Sequence, residues 1–202
     1  DGLWFSALHR DLREYVRSTQ RVVSGEVRLR LDRGSLAVVG RRSDLSLYDR
    51  RPSPVVRGLY DDGRVNVLFV GRIIPNKKIE DVIRCFQAYK RWFNPRARLL
   101  LVGSHTAFER YLAMLHQFMA DAGAEDVHFL GHVTDEELTA YYELADVFLC
   151  ASEHEGFCVP IVEAFYKQIP VVAYAATAVP STMDGAGVLY TTQESLEVAG
   201  LV

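Results

Sequence analysis

The chain has 202 residues, enough for one large domain or for a smaller domain with an additional segment. Its formal net charge of −3 gives no bulk attraction to nucleic acid or to an acidic membrane, so we expect no nucleic-acid partner. Three cysteines without framework spacing favour a reducing compartment, and no apolar run has the length of a membrane span or the form of a signal peptide. We therefore expect a cytoplasmic globular protein.

The first sixty residues carry few clear structural signals. Their patterns suggest an amphipathic helix, two short strands and a linker-like turn, at 4–16, 27–31, 36–39 and 50–54. Many arginines occur before position 43, either as a solvated face or as a patch for a membrane surface or a lipid acceptor at the inner face of the membrane. We interpret 1–60 as a partial N-terminal or linker segment of uncertain fold, and 61–202 as one domain. A second turn-rich stretch at 61–64 also resembles a linker.

From position 66 onward, short apolar runs alternate with helical patterns. The predicted strands occupy 66–70, 98–102, 127–130, 147–151, 170–174 and 187–190. Apolar residues at helical spacing predict helices over 79–90 and 108–122, and a capping-box signature that begins at Thr134 predicts a third. Such alternation indicates an α/β fold: a Rossmann-like open parallel sheet with helices on both faces.

Polar residues follow four of the predicted strands. They are Arg72, Ser104, His132 and Glu155. Right-handed crossovers bring the carboxyl ends of parallel strands to one edge of the sheet, where open α/β sheets bind their ligands. We therefore expect these residues to line one crevice, although His132 is equally consistent with a surface loop that has no role.

The most informative stretch runs from Glu155 to Glu163. Gly156 would let the backbone approach a ligand, and Pro160 suits the first turn of a helix that begins near Val159, which would put Glu163 in that turn. A helix N-terminus favours an anion such as phosphate, whereas carboxylates accept hydrogen bonds from hydroxyls. A nucleotide sugar offers both groups. The alternative is a solvated Glu155 and a Glu163 that only complements the helix dipole.

Two cations follow the first predicted strand. After Gly71, Arg72 and Lys77 occur five residues apart. Fixed cations of this kind stabilise the negative charge that develops on a leaving diphosphate when a glycosidic bond breaks. The alternative is a solvated basic turn.

Both stretches resemble the donor-binding signature of family 4 glycosyltransferases, which are retaining enzymes of the two-domain GT-B type. Ser-Glu-His-Glu-Gly-Phe-Cys-Val-Pro-Ile-Val-Glu-Ala-Phe, which begins at Ser152, is followed by Ile-Pro-Val-Val-Ala. Gly-Arg-Ile-Ile-Pro-Asn-Lys-Lys, which begins at Gly71, resembles the family's Gly-Arg-Leu-x-x-x-Lys-Gly, and the segment 131–138 resembles a third signature. The chain departs from the family pattern at Lys78 and Cys158, where glycine is usual, and at 166–168, where small residues and a glycine are usual.

The resemblance implies a role for each matching residue. It gives Glu163 the ribose hydroxyls, Glu155 a hydroxyl of the transferred sugar, and Arg72 and Lys77 the departing diphosphate. The remaining residues expected to bind the donor are Gly71, Ser104, His132, Val133, Leu138, Gly156, Phe157, Cys158 and Val159. Among these, the resemblance places the nucleobase near His132, Val133 and Leu138, and the sugar and phosphates near the backbone N–H groups of 157–159.

The predicted function is therefore that of the donor-binding half of a retaining glycosyltransferase, hexosyltransferase-like in the full protein. The resemblance implies an N-terminal acceptor domain that this chain is too short to contain, so we expect the chain alone to bind a UDP or GDP sugar but to transfer little. We expect no cofactor and no metal, since no pair of His or Cys residues has convincing metal-ligand spacing. Two alternatives remain: a non-catalytic nucleotide-binding or assembly module, and another doubly wound enzyme. A dehydrogenase would need a Gly-x-Gly-x-x-Gly turn, which does not follow the first strand.

Overall fold

A computed structural model describes residues 48–192 and 194–202. The predicted helix at 4–16, the two predicted strands before position 40 and the basic patch all fall outside these ranges. Within the described ranges, none of the helices combines the length and the apolar character that crossing a bilayer requires.

The described residues contain a six-stranded sheet in which every pair of neighbouring strands is parallel. Its strands are β1 (Asn66–Val70), β2 (Arg98–Val102), β3 (Val127–Gly131), β4 (Val147–Cys150), β5 (Val171–Tyr174) and β6 (Val188–Tyr190). The spatial order is β3-β2-β1-β4-β5-β6, so the direction of winding reverses between β1 and β4. The predicted Rossmann-like sheet is confirmed, and the reversal point is where such sheets bind ligands.

Helices cover both faces of the sheet. They are α1 (Pro54–Tyr60), α2 (Ile79–Trp92), α3 (Glu109–Ala122), α4 (Asp135–Leu144), α5 (Val159–Tyr166), α6 (Val179–Met183) and α7 (Ser195–Ala199). One apolar core lies between the sheet and α2, α3 and α7, and a second lies between the sheet and α1, α4, α5 and α6. Successive strand side chains point to opposite faces, so Val67 and Phe69 join the first core and Leu68 joins the second.

The predicted capping box opens α4. The Thr134 hydroxyl accepts from the backbone N–H of Glu137, and the Glu137 carboxylate accepts from the backbone N–H of Thr134 at 2.8 Å. Two N–H groups that the helix cannot satisfy internally are thus paired. The start of α4 is fixed by local chemistry, which explains why the sequence alone predicts it.

The segment interpreted as a linker at 50–54 leads into a helix. Ser53 is the N-cap of α1, with Pro54 in its first turn, and the Ser53 hydroxyl accepts from the backbone N–H of Val56. The Val56 side chain is buried in the second core, and the Ser53 backbone N–H donates to the Glu136 carbonyl at 2.9 Å. The Ser-Pro pair that suggested a turn also serves as a helix start.

The stretch 61–64 is likewise tied to the domain. Arg98, the buried first residue of β2, donates to Asp62 and to the Tyr60 carbonyl, both at 2.6 Å. Its guanidinium holds the pKa of Asp62 below its usual value. Arg98 also donates to the side chain of Asn66 at 2.6 Å. This network joins the segment after α1 to the amino-terminal edge of the sheet, opposite the edge where β1 and β4 diverge.

The departures from the family's glycine pattern lie at residues in the left-handed backbone region. Lys78 has φ +51°, Cys158 has φ +61° and Gln168 has φ +59°. A residue with a Cβ is disfavoured in this region, whereas glycine enters it readily. The backbone therefore explains why glycine is usual in the corresponding regions of the family pattern.

Replacing Gln168 with glycine is expected to raise the free energy of unfolding by about 0.5 kcal/mol, because relief of the left-handed strain exceeds the cost of the added backbone freedom. Gln168 is exposed, and its backbone N–H bond to the Phe165 carbonyl at 2.9 Å would remain. Urea unfolding measures the change. The same substitution at Gln117, inside α3, is the control and should lower stability by about 1 kcal/mol. Equal losses in both variants would contradict the explanation.

Candidate functional site

The carboxyl ends of β1 and β2 approach each other closely beside the reversal point. Gly71 donates its backbone N–H to the Val102 carbonyl at 2.9 Å, and Gly103 donates to the Gly131 carbonyl at 2.8 Å. A Cβ added at Gly103 would lie 1.8 Å from the Gly71 carbonyl oxygen. The loop that begins at Gly71 can take this path because position 103 has no side chain.

Lys77 and Glu155 meet at the reversal point of the sheet. Lys77 is the last residue of a 3-10 turn, Pro75–Lys77, in the loop after β1, and Glu155 lies in the loop after β4. The Lys77 ammonium donates to the Glu155 carboxylate, and the side chains are only 17% and 9% exposed. Two loops whose interacting residues lie 78 positions apart in the sequence thus place a cation against an anion in a shielded position.

Backbone contacts tie these two loops together beside the ion pair. The Asn76 side-chain amide donates to the His154 carbonyl at 3.2 Å, and the Glu153 backbone N–H donates to the Asn76 carbonyl at 3.0 Å. Sequence reasoning missed Asn76 as a positioning residue. Its only signal was its place inside the Gly-Arg-Leu-x-x-x-Lys-like stretch.

The loop after β5 fixes the other side of the Glu155 loop. The Glu155 backbone N–H donates to the Thr177 hydroxyl at 2.8 Å, and this hydroxyl donates to the Glu155 carbonyl at 3.0 Å. The Thr182 hydroxyl in α6 donates to the Phe157 carbonyl. No pattern in the sequence marked Thr177 or Thr182, because both contacts depend on how the loops meet in space.

Glu163 lies just beyond the first turn of α5, whereas the sequence predicted it within that turn. The helix begins at Val159, so Glu163 is its fifth residue, and no acidic residue lies in the first turn. The expected start was correct, and a turn of about 3.6 residues counted from Val159 ends just before Glu163. The Glu163 carboxylate accepts from the Tyr142 hydroxyl at 2.7 Å. Burial, reinforced by the Glu163 charge, raises the pKa of Tyr142, so this tyrosine stays a neutral donor.

The other predicted residues at strand ends share the edge but contact different groups. The Arg72 guanidinium lies 5.5 Å from the centre of the Phe108 ring. The Ser104 hydroxyl accepts from the backbone N–H of Thr106 at 3.1 Å, and His132 is exposed. Among the described residues, a hydrogen bond or ion pair joins Lys77 to Glu155 but joins Arg72 to neither Glu155 nor Glu163.

The remaining predicted donor residues flank this edge. Val133, just before α4, and Leu138, within α4, are partly buried against the second core. Gly156 is exposed, and nothing lies within 4 Å of the position that its Cβ would take, so a ligand could reach the backbone there. Val159 opens α5, whose N-terminus directly follows the Glu155 loop in the chain.

Two thiols lie within 4.8 Å of the Glu155 carboxylate. Cys150 is the last residue of β4, and Cys158 is the N-cap of α5; both are buried. A hydrogen bond from the Cys158 thiol lowers the pKa of Cys150, while the same contact and burial raise the pKa of Cys158. The third cysteine, Cys85, lies in α2 on the first core, where burial raises its pKa to about 12.

Comparison with known proteins assigns the described domain. Residues 56–195 match the family model described as Glycosyl transferases group 1. An O-antigen chain mannosyltransferase B from Escherichia coli is 30% identical over 124 residues, which are 60% of this chain and 32% of that protein. The crystal structure of Anabaena Alr3699/HepE in complex with UDP-glucose has a TM-score of 0.65 and 28% sequence identity, covering 77% of this chain and 43% of that one.

The N-terminal segment resembles a different family. Residues 1–61 match the model described as Arginosuccinate synthase C-terminal domain. The Argininosuccinate synthase of Dehalococcoides mccartyi (strain ATCC BAA-2266 / KCTC 15142 / 195) is 58% identical over 50 residues, which are 25% of this chain and 12% of that protein. Sequence reasoning missed this likeness. The matches to the two family models overlap at 56–61, a stretch that includes most of α1.

The chain spans 12% of the synthase and 32% of the mannosyltransferase, so the activities of those whole proteins do not transfer to it directly. The match to the glycosyl transferase model, by contrast, covers well over half of the chain. The fold, the strand order and this match agree with one another. We conclude that the chain belongs to the glycosyl transferases of group 1, which confirms the predicted resemblance to GT-B enzymes of the family 4 type.

Proposed function

We propose that the described domain binds a nucleoside-diphosphate sugar in the crevice where β1 and β4 diverge. The observation that carries this proposal is the contact between Lys77 and Glu155 at that point. Lys77 supplies a cation for the diphosphate, and Glu155 supplies an acceptor for a sugar hydroxyl. The Anabaena structure, which contains UDP-glucose, supports a ligand of this class.

In the whole protein, the proposed reaction transfers the sugar, a hexose, to an acceptor hydroxyl with retention of anomeric configuration. The bond between the anomeric carbon and the leaving phosphate oxygen breaks as the acceptor oxygen bonds to that carbon, so negative charge develops on the diphosphate, and the hydroxyl proton passes to the diphosphate or to solvent. Lys77 stabilises this charge directly, and Arg72 does so once its guanidinium turns from the Phe108 ring toward the crevice. These cations take the place of a metal ion, so the proposed transfer is metal-independent.

Only the donor half of this reaction is assigned to the described residues. The acceptor site and transfer by the whole protein remain proposals based on the GT-B resemblance. We propose a cytoplasmic site of action, since Cys85, Cys150 and Cys158 are all free thiols. Contact with a membrane surface or lipid acceptor through the basic residues before position 43 remains part of this proposal.

Glu163 is proposed to accept the ribose hydroxyls. Replacing it with glutamine is expected to weaken UDP binding about tenfold, because a neutral amide oxygen accepts more weakly than a carboxylate. Glutamine keeps an oxygen for the buried Tyr142 hydroxyl, so the variant should stay folded. Titration calorimetry with the full chain measures the affinity, and Glu153→Gln, in the exposed part of the Glu155 loop, is the matched control.

An unchanged affinity in Glu163→Gln would show that this carboxylate serves only to bind Tyr142. A thermal-shift panel of UDP, GDP and their sugars tests the wider proposal, because stabilisation grows with ligand concentration relative to the dissociation constant. Stabilisation by one of the two nucleoside diphosphates and by its sugar conjugate supports a donor site. A non-catalytic assembly module would respond to none of these ligands.

A further inference from the structure

Cys150, Cys158 and Glu155 form a compact cluster that the proposed transfer does not explain. Each offers one ligand atom, and the two sulfurs and a carboxylate oxygen all lie within 4.8 Å of one another. Cys150 and Cys158 are 1% and 7% exposed, and the Glu155 side chain is 9% exposed. Three potential metal ligands therefore converge in a shielded position next to the donor crevice.

We propose that this cluster is a binding site for a thiophilic divalent cation, for which zinc is the reference. Two thiolates and a carboxylate are a ligand set that suits zinc. Zinc–sulfur bonds of about 2.3 Å and zinc–oxygen bonds of about 2.1 Å give ligand separations of roughly 3.5–3.8 Å in a tetrahedral site. The cluster needs to contract by only about 1 Å to reach them, which leaves a fourth coordination position for water or another ligand.

The backbone at Cys158 gives an independent reason to look for a role for its thiol. Cys158 adopts φ +61°, a conformation that glycine would adopt without a strained Cβ. Donor binding, as proposed, uses only the backbone N–H at this position. A side chain with a strong affinity for metals thus occupies a strained position, and its sulfur lies beside a second thiol and a carboxylate.

The same carboxylate already pairs with Lys77. That lysine binds Oε1 of Glu155, and a carboxylate has a second oxygen with further acceptor capacity. Metal binding replaces the thiol protons, which pass to solvent, and requires no oxidant or reductant. The bound cation would repel Lys77, so we expect replacement of Lys77 by methionine to tighten metal binding.

The spacing of the two cysteines explains why the sequence alone does not indicate a metal site here. The two cysteines are separated by seven residues across the turn from β4 to α5, a spacing that differs from the short ligand pairs of structural zinc sites. The folded turn, not the spacing, brings their sulfurs together.

Cobalt titration of the full chain tests the site. The protein is kept reduced with a phosphine, and Co²⁺ is added while thiolate-to-cobalt charge-transfer absorption is recorded. We expect one cobalt per chain with this absorption, and its loss when Zn²⁺ displaces the cobalt. Cys158→Gly and Cys150→Ser should each lose the absorption. The affinity for the metal should fall by more than the roughly 10–100-fold that is typical when a residue hydrogen-bonded to a metal ligand is lost.

Matched variants separate ligand loss from unfolding. Cys158→Gly removes the left-handed strain, so its unfolding midpoint should not fall, and Glu155→Gln should keep the thiolate absorption while binding metal more weakly. Cys85→Ser, in the other core, should behave as the unaltered chain. No thiolate absorption in the unaltered chain, or equal absorption in Cys158→Gly, would overturn the proposal.

A disulfide is the competing outcome for two neighbouring thiols. Loss of both thiols to a peroxide, combined with no cobalt absorption under reducing conditions, would also overturn the metal site. Because the readout is the metal itself, the result does not depend on whether the domain binds a nucleotide sugar.

Discussion

Replacing Gly103 with alanine is expected to reduce the free energy of unfolding by at least about 4 kcal/mol. The added Cβ would lie 1.8 Å from the Gly71 carbonyl oxygen and 2.6 Å from its carbon. Both are backbone atoms, and hydrogen bonds from Gly71 and Gly103 to the neighbouring strands hold them in place. Since a domain of this size is stable by only about 5–15 kcal/mol, a large unfolded fraction should be detectable by urea titration or circular dichroism.

Gly58→Ala is the matched control for this substitution. Gly58 lies in α1, and nothing occupies the space within 4 Å of its missing Cβ. Alanine is the better helix former, so this variant should gain about 0.5–1 kcal/mol. A Gly103→Ala variant with unchanged stability would mean that β1 and β2 do not approach as closely as described.

Replacing Lys77 with methionine is expected to weaken both UDP and UDP-glucose binding by about 1.5–3 kcal/mol, or roughly 10- to 150-fold. Methionine keeps much of the side-chain length but loses the charge that we propose for the diphosphate. Glu155→Gln should behave differently, because we assign Glu155 to the sugar. It should weaken UDP-glucose binding about tenfold while UDP binding is retained, since Lys77 is then released from its partner.

Calorimetry on the full chain measures these affinities. Lys78→Met is the control, because Lys78 is the neighbouring lysine but pairs with Glu153 at 3.2 Å. The double variant Lys77→Met/Glu155→Gln removes both charges, so it separates loss of a ligand contact from the penalty of a carboxylate left without its cation. Equal affinities for UDP in the Lys77→Met and Lys78→Met variants would contradict the diphosphate role.

The strands of this domain were predictable because each combines local signals. Asn66–Val70 and Arg98–Val102 match their predicted bounds, since continuous apolar runs end at Gly71 and Gly103. The start of α4 was predictable for the same reason, from its capping box. The helix Pro54–Tyr60 was missed because Ser-Pro is ambiguous between a turn and a helix start, and packing on α4 decides between them.

The contacts of the site could be predicted only in part. The sequence indicated that Lys77 and Glu155 would lie at the same sheet edge, because parallel crossovers bring strand ends together. It could not show their direct pairing, the support from Thr177, or the partner of Glu163. These contacts join residues of different loops and helices, and their geometry depends on how the folded elements pack.

The hydrogen bonds between Asn76 and the Glu153–His154 backbone have a consequence for association. They link the two loops that border the crevice before any ligand arrives. An incoming molecule therefore meets walls that are already ordered, and little conformational entropy is lost when it docks. The loops of the crevice are therefore preorganised, and binding of the proposed donor needs the Arg72 side chain to turn but no rearrangement of these loops.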